Sequence, residues 1–235
     1  MRVFKPTLMG AALAISSLAA QAAWDPVDTG VSYQPIPLAS DNTVNPLRGY
    51  HRWRGVELVP QSERALEAYQ RYQWRDLETS PGVYNFSTVL ADLAAARSEG
   101  RKFALRVRMM AGYDDGQVYL PAYVKDNPAC QAGCGFWADD SPGTPGLTFV
   151  PDWNDPYLQG RARLLMENLA KTLANQRHDI AWIDVGLYGQ WGEWTIKSAL
   201  YGQAPAGILP ATEPSKRAFA RSEERRVGKE CRSRW

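Results

Sequence analysis

The chain has 235 residues, of which 45% are hydrophobic and 11% aromatic, with 27 basic against 25 acidic side chains. That composition belongs to a chain able to bury a sizeable core, and it excludes a disordered polyelectrolyte. Three cysteines, with His51 and His178 as the only histidines and no ligand spacing among them, argue against a zinc centre.

Residues 1–22 read as an export signal. Arg2 and Lys5 give a positive start, Leu8 to Ala20 a short apolar core, and Ala20-Gln21-Ala22 an A-x-A cleavage site. The apolar run is too short to span a bilayer, and no later stretch approaches ~18 uninterrupted apolar residues. The expectation is an exported protein, periplasmic or extracellular, with no membrane partner once the signal is removed.

Ala23 to Asn45 has no clear period and reads as an extended arm. Asn45-Pro46 and Gly49 mark turns, and the segment through His51, Arg52 and Trp53 reads as a short first strand or its loop. Ser62 can cap a short helix through Glu67. Tyr69 to Trp74 alternates as a second strand, with Tyr69, Arg71 and Gln73 on one face.

Leu77 to Phe86 holds a Pro81-Gly82 turn between aromatic anchors. Ser87 is the expected N-cap of a helix whose apolar side carries Val89, Leu90, Leu93, Ala94 and Ala96, and Gly100 is placed to end it. Phe103 to Met109 is the third strand, with Arg106 and Arg108 together on one face. Met110 to Asp155 reads as a long, ordered loop without regular structure, and Asp114-Asp115-Gly116 within it as a solvated turn. Cys130 and Cys134, four apart in an exported chain, are expected to close a small disulfide loop.

Asp155-Pro156 is a helix start, Asp as N-cap and Pro at the first helical position. Leu158, Ala162, Leu165, Met166, Leu169 and Leu173 recur at helical spacing towards a core, with Arg161, Glu167 and Lys171 outward, to about Gln176. Ala181 to Trp194 (AWIDVGLYGQWGEW) then begins as a nearly continuous apolar strand of the kind covered on both faces in a parallel sheet. Gly189 and Gly192 break it, and Glu193 falls in the turn between Trp191 and Trp194. The alternation of strands and helices gives a parallel α/β chain of at most four βα steps.

Residues 221–235, RSEERRVGKECRSRW, follow no apolar period. They resemble, codon by codon, the translation of a common short-read sequencing adapter. The expectation is a native chain cut at about Ala220, followed by a non-native tail without packed contacts. Setting aside the tail's six basic and three acidic residues and the signal's two basic ones leaves 19 basic and 22 acidic residues in 23–220. The apparent basic excess therefore gives no support to a nucleic-acid partner.

Glu193 carries the sharpest chemical reading. Glycoside cleavage uses one carboxylic acid on the leaving oxygen and a second carboxylate across the ring. An aromatic surround favours the neutral acid, and Trp191 and Trp194 flank Glu193 in sequence. Indole and phenol faces also stack on sugars, so Trp53, Tyr188, Trp191 and Trp194 are candidate saccharide contacts, with Arg106 and Arg108 beside them. The plainer alternative is a loop glutamate among packing tryptophans. There is no G-x-S-x-G elbow, P-loop, G-x-G-x-x-G or H-E-x-x-H, and no cofactor or metal is expected.

The block Trp74, Leu77, Glu78, Gly82, Tyr84, Phe86 and Gly100 resembles the second and third βα units of clan-A glycoside hydrolases, particularly family-42-type β-galactosidases. That resemblance covers Tyr69 to Trp194. It implies the amino-terminal half of a (β/α)8 barrel, truncated after about the fourth βα unit, with Glu193 as acid/base and a carbohydrate as partner. The clan has Asn directly before that Glu, where this chain has Gly192. Asn45 to Tyr50 and the Trp191–Trp194 block also resemble secreted barrels of the domain-of-unknown-function kind. A carbohydrate-binding barrel without catalysis is thus the rival expectation, and a purely structural surface protein a third.

Overall fold

A computed structural model describes residues 51–53, 67–112, 116–130, 133–140 and 146–232, leaving aside the side chains of 51, 52 and 224–232. All lie within the unit Val44–Trp235. The export signal, the arm to Asn45, the Asn45–Tyr50 turn, the Ser62 cap and the Asp114-Asp115 turn lie outside the described residues.

The elements in chain order are β1 (His51–Trp53), β2 (Glu67–Gln73), α1 (Trp74–Leu77), β3 (Glu78–Ser80), β4 (Val83–Tyr84), α2 (Ser87–Ser98) and β5 (Phe103–Arg108). There follow α3 (Ala122–Lys125), β6 (Gly135–Ala138), β7 (Thr148–Pro151), α4 (Pro156–Leu173), β8 (Ile180–Asp184), α5 (Ser198–Tyr201) and α6 (Glu213–Arg232). β1, β2, β5 and β8 form one parallel sheet whose spatial order follows the chain. The protein is thus a mixed α/β chain with helices crossing between parallel strands, as the alternating sequence predicts.

Strand parity decides what each face carries. Tyr72 points to the helical side, where its hydroxyl donates to Asp92 of α2 at 2.6 Å. Leu105 and Val107 of β5 share that side and join Val89, Leu93 and Ala96 of α2 in one core with Leu158, Ala162, Leu165, Met166, Leu169 and Leu173 of α4. The α4 start is as read: the Asp155 side chain accepts from Leu158 N at 3.0 Å, with Pro156 at the first helical position. At α2 the cap differs. Ser87 is already helical, and it is Asn85 whose Oδ1 accepts from Ser87 N at 3.1 Å. Glu167 is not outward either; it is buried on α4 and paired with Arg163 at 2.6 Å.

β8 departs from expectation more instructively. It ends at Asp184 and is half-buried along its whole length, because among the described residues it pairs only with β5 and is the sheet's edge. A strand covered on both faces was the wrong reading of its apolar run. The long segment after β5 also has regular structure of its own: the short α3 and an antiparallel hairpin of β6 and β7. The Cys130–Cys134 disulfide, with Cα atoms 5.2 Å apart, lies between α3 and that hairpin.

Among the described side chains of the tail, the expectation of an unpacked segment fails at Glu223. α6 continues through Ala220, and Glu223 is buried, its carboxylate accepting from Gly186 N at 2.7 Å and Leu187 N at 3.1 Å. Those amides lie just past the end of edge strand β8, so backbone donors that no strand takes there are taken by a side chain.

Candidate functional site

The residues on the sheet face away from α2 stand in rows set by the register. Trp53, Tyr69, Ala104 and Trp182 are consecutive partners across β1, β2, β5 and β8. One step nearer the carboxyl ends, Arg71, Arg106 and Asp184 are partners across three strands. The next row pairs Gln73 with Arg108. Charge therefore accumulates at the carboxyl end of this face, where the loops of a parallel α/β sheet carry the chemistry.

The middle row is tightly bonded. Asp184 Oδ2 accepts from Tyr69 Oη at 2.7 Å and from Arg106 Nε and Nη2 at 3.0 and 2.8 Å. Arg71 Nε donates to the Tyr69 hydroxyl at 3.1 Å and Arg71 Nη2 to Glu193 Oε1 at 2.9 Å. Arg106 Nη1 approaches the same Glu193 oxygen at 3.5 Å and donates to Trp191 O at 3.3 Å. Burial works against the Arg71 cation, but the Tyr69 hydroxyl and the Glu193 carboxylate hold it above its ordinary range. Burial and the Asp184 carboxylate push the Tyr69 hydroxyl up.

Glu193 reaches this row because the loop after β8 is tightly wound. Gly189, Trp191, Gly192 and Trp194 have φ of 89°, 52°, 70° and 58°. Positive φ at two tryptophans costs on the order of 1 kcal/mol or more each and persists only where surroundings over-determine it. Those surroundings are visible. Gln190 donates to Asp140 Oδ2 at 2.8 Å, Trp194 Nε1 to Val185 O at 2.6 Å, and Trp194 N to Tyr188 O at 3.2 Å. Gly192 sits so close that an added Cβ would lie 2.2 Å from Gly186 O. Glycine at position 192 is therefore required by this loop's own conformation.

Glu193 has a surround unlike the aromatic enclosure its neighbours in sequence suggest. Its side chain is 43% exposed and salt-bridged to two guanidiniums. Trp53 and Trp194 are open, 40% and 38% exposed, and Arg71 lies over the Trp53 ring at 4.9 Å. Trp191 is half-buried over Gly112, where a Cβ would meet its ring at 2.4 Å. Tyr188 is a correction: its ring is buried between Trp153 and Trp194, with centroids 5.1 and 5.4 Å away, so it is packing and offers no face to a sugar. Arg106 is internally bonded, whereas Arg108 lies over the Tyr119 ring at 5.0 Å. Cys130, Cys134 and Asp155 stand close enough to share a metal, but both sulfurs are in the disulfide and Asp155 caps α4.

Sequence reading missed Arg71, Tyr69 and Asp184 as site residues. Parity had placed Tyr69 and Arg71 on one strand face and Asp184 beside Trp182, but nothing local shows which strand neighbours which.

The block from Trp74 to Gly100 has a structural role. The carboxylate of Glu78, with no exposure, accepts from Trp74 Nε1 at 2.8 Å and Gly82 N at 3.1 Å and is ion-paired to Arg161 of α4. Trp74 and Leu77 are buried, and Gly82 and Gly100 take positive φ. The block thus ties the β3–β4 hairpin to α4.

In sequence, the chain matches no protein-family model and no curated protein. Among solved structures it is similar to the exo-β-1,4-mannosidase Op5Man5 from Opitutaceae bacterium strain TAV5, at 15% identity and a TM-score of 0.45. That match covers 73% of this chain and 25% of the mannosidase, so the chain spans about a quarter of its length. A likeness at that level says nothing of activity and does not single out the family-42 type.

Proposed function

We propose that the chain is the amino-terminal part of an exported, glycoside hydrolase-like (β/α)8 barrel that acts on a poly- or oligosaccharide by two-carboxylate chemistry, with Glu193 as one carboxylate. The supporting observation is the place of Glu193. It projects from a strained loop at the carboxyl end of a parallel sheet, ion-paired to Arg71 and Arg106 of the charged row, and Trp53 and Trp194 are exposed on the described surface. On this reading the second carboxylate lies beyond Ala220, residues 221–235 are a non-native tail, and this chain alone is inactive.

A second reading draws on the two salt bridges. Both tie the Glu193 carboxylate to arginines of the sheet, so it is already engaged in ion pairs. A barrel that binds saccharide through Trp53, Trp194, Arg106 and Arg108 without cleaving it accommodates those bridges directly. Recovering the locus from genomic DNA and assaying the complete product decides between them. Hydrolysis of a β-glycoside, with different codons after Ala220, supports the first reading. The same fifteen codons in genomic DNA overturn the truncation, and binding without hydrolysis selects the second reading.

A further inference from the structure

Two guanidiniums stand near the Glu193 carboxylate, and they are not equivalent. Arg71 Nη2 donates to Glu193 Oε1 at 2.9 Å, whereas Arg106 Nη1 stands 3.5 Å from that oxygen, beyond ordinary hydrogen-bond length. Arg106 directs its donors to Asp184 Oδ2 and Trp191 O instead. Arg71 is therefore the residue that fixes the Glu193 oxygen.

Arg71 is itself fixed on several sides. Its Nε donates to the Tyr69 hydroxyl at 3.1 Å, and that hydroxyl donates on to Asp184 at 2.7 Å. The guanidinium lies 4.9 Å from the centre of the Trp53 ring and 5.7 Å from that of Tyr69. A planar fork held in its plane by a hydroxyl and across its face by an indole keeps one orientation. Little side-chain freedom is then lost when it takes the carboxylate. The Arg71 side chain is 18% exposed against 43% for Glu193, so an ordered residue of the sheet holds a more open residue of the loop. The positive φ values around Glu193 set its backbone, but the carboxylate lies several rotatable bonds further out.

We propose that Arg71 is the positioning residue for Glu193, holding its carboxylate where it meets the scissile bond. This rests on the hydrolase reading above and adds to it a residue 122 positions earlier in the chain. With Trp53, Tyr69 and Glu193 around it, the Arg71 guanidinium offers little surface to a sugar, so it acts on the rate and not on binding.

Steady-state kinetics of the complete product of the locus tests this role, with the β-1,4-linked tetrasaccharides of glucose, galactose and mannose as substrates. Misplacing a reacting group by about 1 Å can cost on the order of 10²-fold in rate. On the sugar that the parent cleaves, Arg71→Met should lower kcat about fivefold or more and change KM less than about threefold. Arg71→Lys keeps the charge, but its single nitrogen cannot serve Tyr69 and Glu193 as a fork does, so it should show the same pattern. It is the variant read if circular dichroism shows Arg71→Met unfolded. In the Glu193→Ala background the Arg71 change should cost less than about twofold, because nothing is left to position. A smaller fall in kcat, a loss expressed in KM, or a loss of about twofold or more repeated in Glu193→Ala overturns the positioning role and leaves the hydrolase reading standing. Cleavage at the parent rate by Glu193→Ala, or of none of the three sugars by a folded parent, overturns both.

Discussion

Gly186 lies against the side chain of Arg106, so that an added Cβ would stand 2.1 Å from Arg106 Cγ and 2.8 Å from Val107 O. Arg106 holds Asp184 and approaches Glu193, so the absence of a side chain at 186 fixes the arginine that organises the charged row. Gly186→Ala forces that contact apart. Overpacking of this kind costs about 1–3 kcal/mol. Urea unfolding should show a loss in that range, with a changed near-UV spectrum from the displaced tryptophans. An unchanged midpoint and spectrum would show that the row tolerates a shift.

Glu78 joins the β3–β4 hairpin to α4 through Arg161, in full burial. Removing one partner of a buried pair leaves the other charge uncompensated, at about 3–5 kcal/mol. Glu78→Ala should therefore destabilise the chain far more than Glu193→Ala, because the Glu193 side chain is itself largely open to solvent and its pairing is worth about 1 kcal/mol or less. Equal losses in the two variants, measured by chemical denaturation, would contradict this division between a structural and a functional glutamate.

Burial pushes the Glu223 carboxyl from its ordinary 4.5 up to about 8, against the lowering effect of the Gly186 and Leu187 amides. A group whose pKa is raised on folding stabilises fully below the unfolded value, and that stability is lost as pH rises through the folded value. The chain with its present carboxyl-terminal residues should melt at progressively lower temperature from about pH 4.5 to pH 8. Glu223→Ala should flatten that slope. A melting temperature rising over the same interval, with the slope unchanged in Glu223→Ala, would remove the residue from the account.

The strand and helix pattern was legible because it is written in local periodicity. The alternation of Phe103, Leu105 and Val107, the Asp155-Pro156 start and the stripe from Leu158 to Leu173 are seen directly in the structure. β8 misled because a run such as Ala181 to Leu187 reports apolarity but not the number of neighbouring strands, and an edge strand is covered on one side only. The hairpin of β6 and β7 was hidden by its short strands and by the glycines and prolines around them.

At the site, the sequence marked Glu193, Trp191 and Trp194 together, since the glycines around them announce a turn. It could not show that Arg71, 122 residues earlier, would salt-bridge Glu193. Sequence neighbours of a loop residue need not be its spatial neighbours. Trp191 and Trp194 take positive φ, and the ion-pair partners of Glu193 are arginines from two strands.

Glu193→Gln in the complete gene product tests the central claim most directly. General acid catalysis contributes roughly 10²–10⁴-fold. The account predicts that kcat on a β-glycoside with a poor leaving group falls by about that factor, and by less on one with an activated leaving group. A variant that cleaves the poor-leaving-group substrate at the parent rate would contradict it.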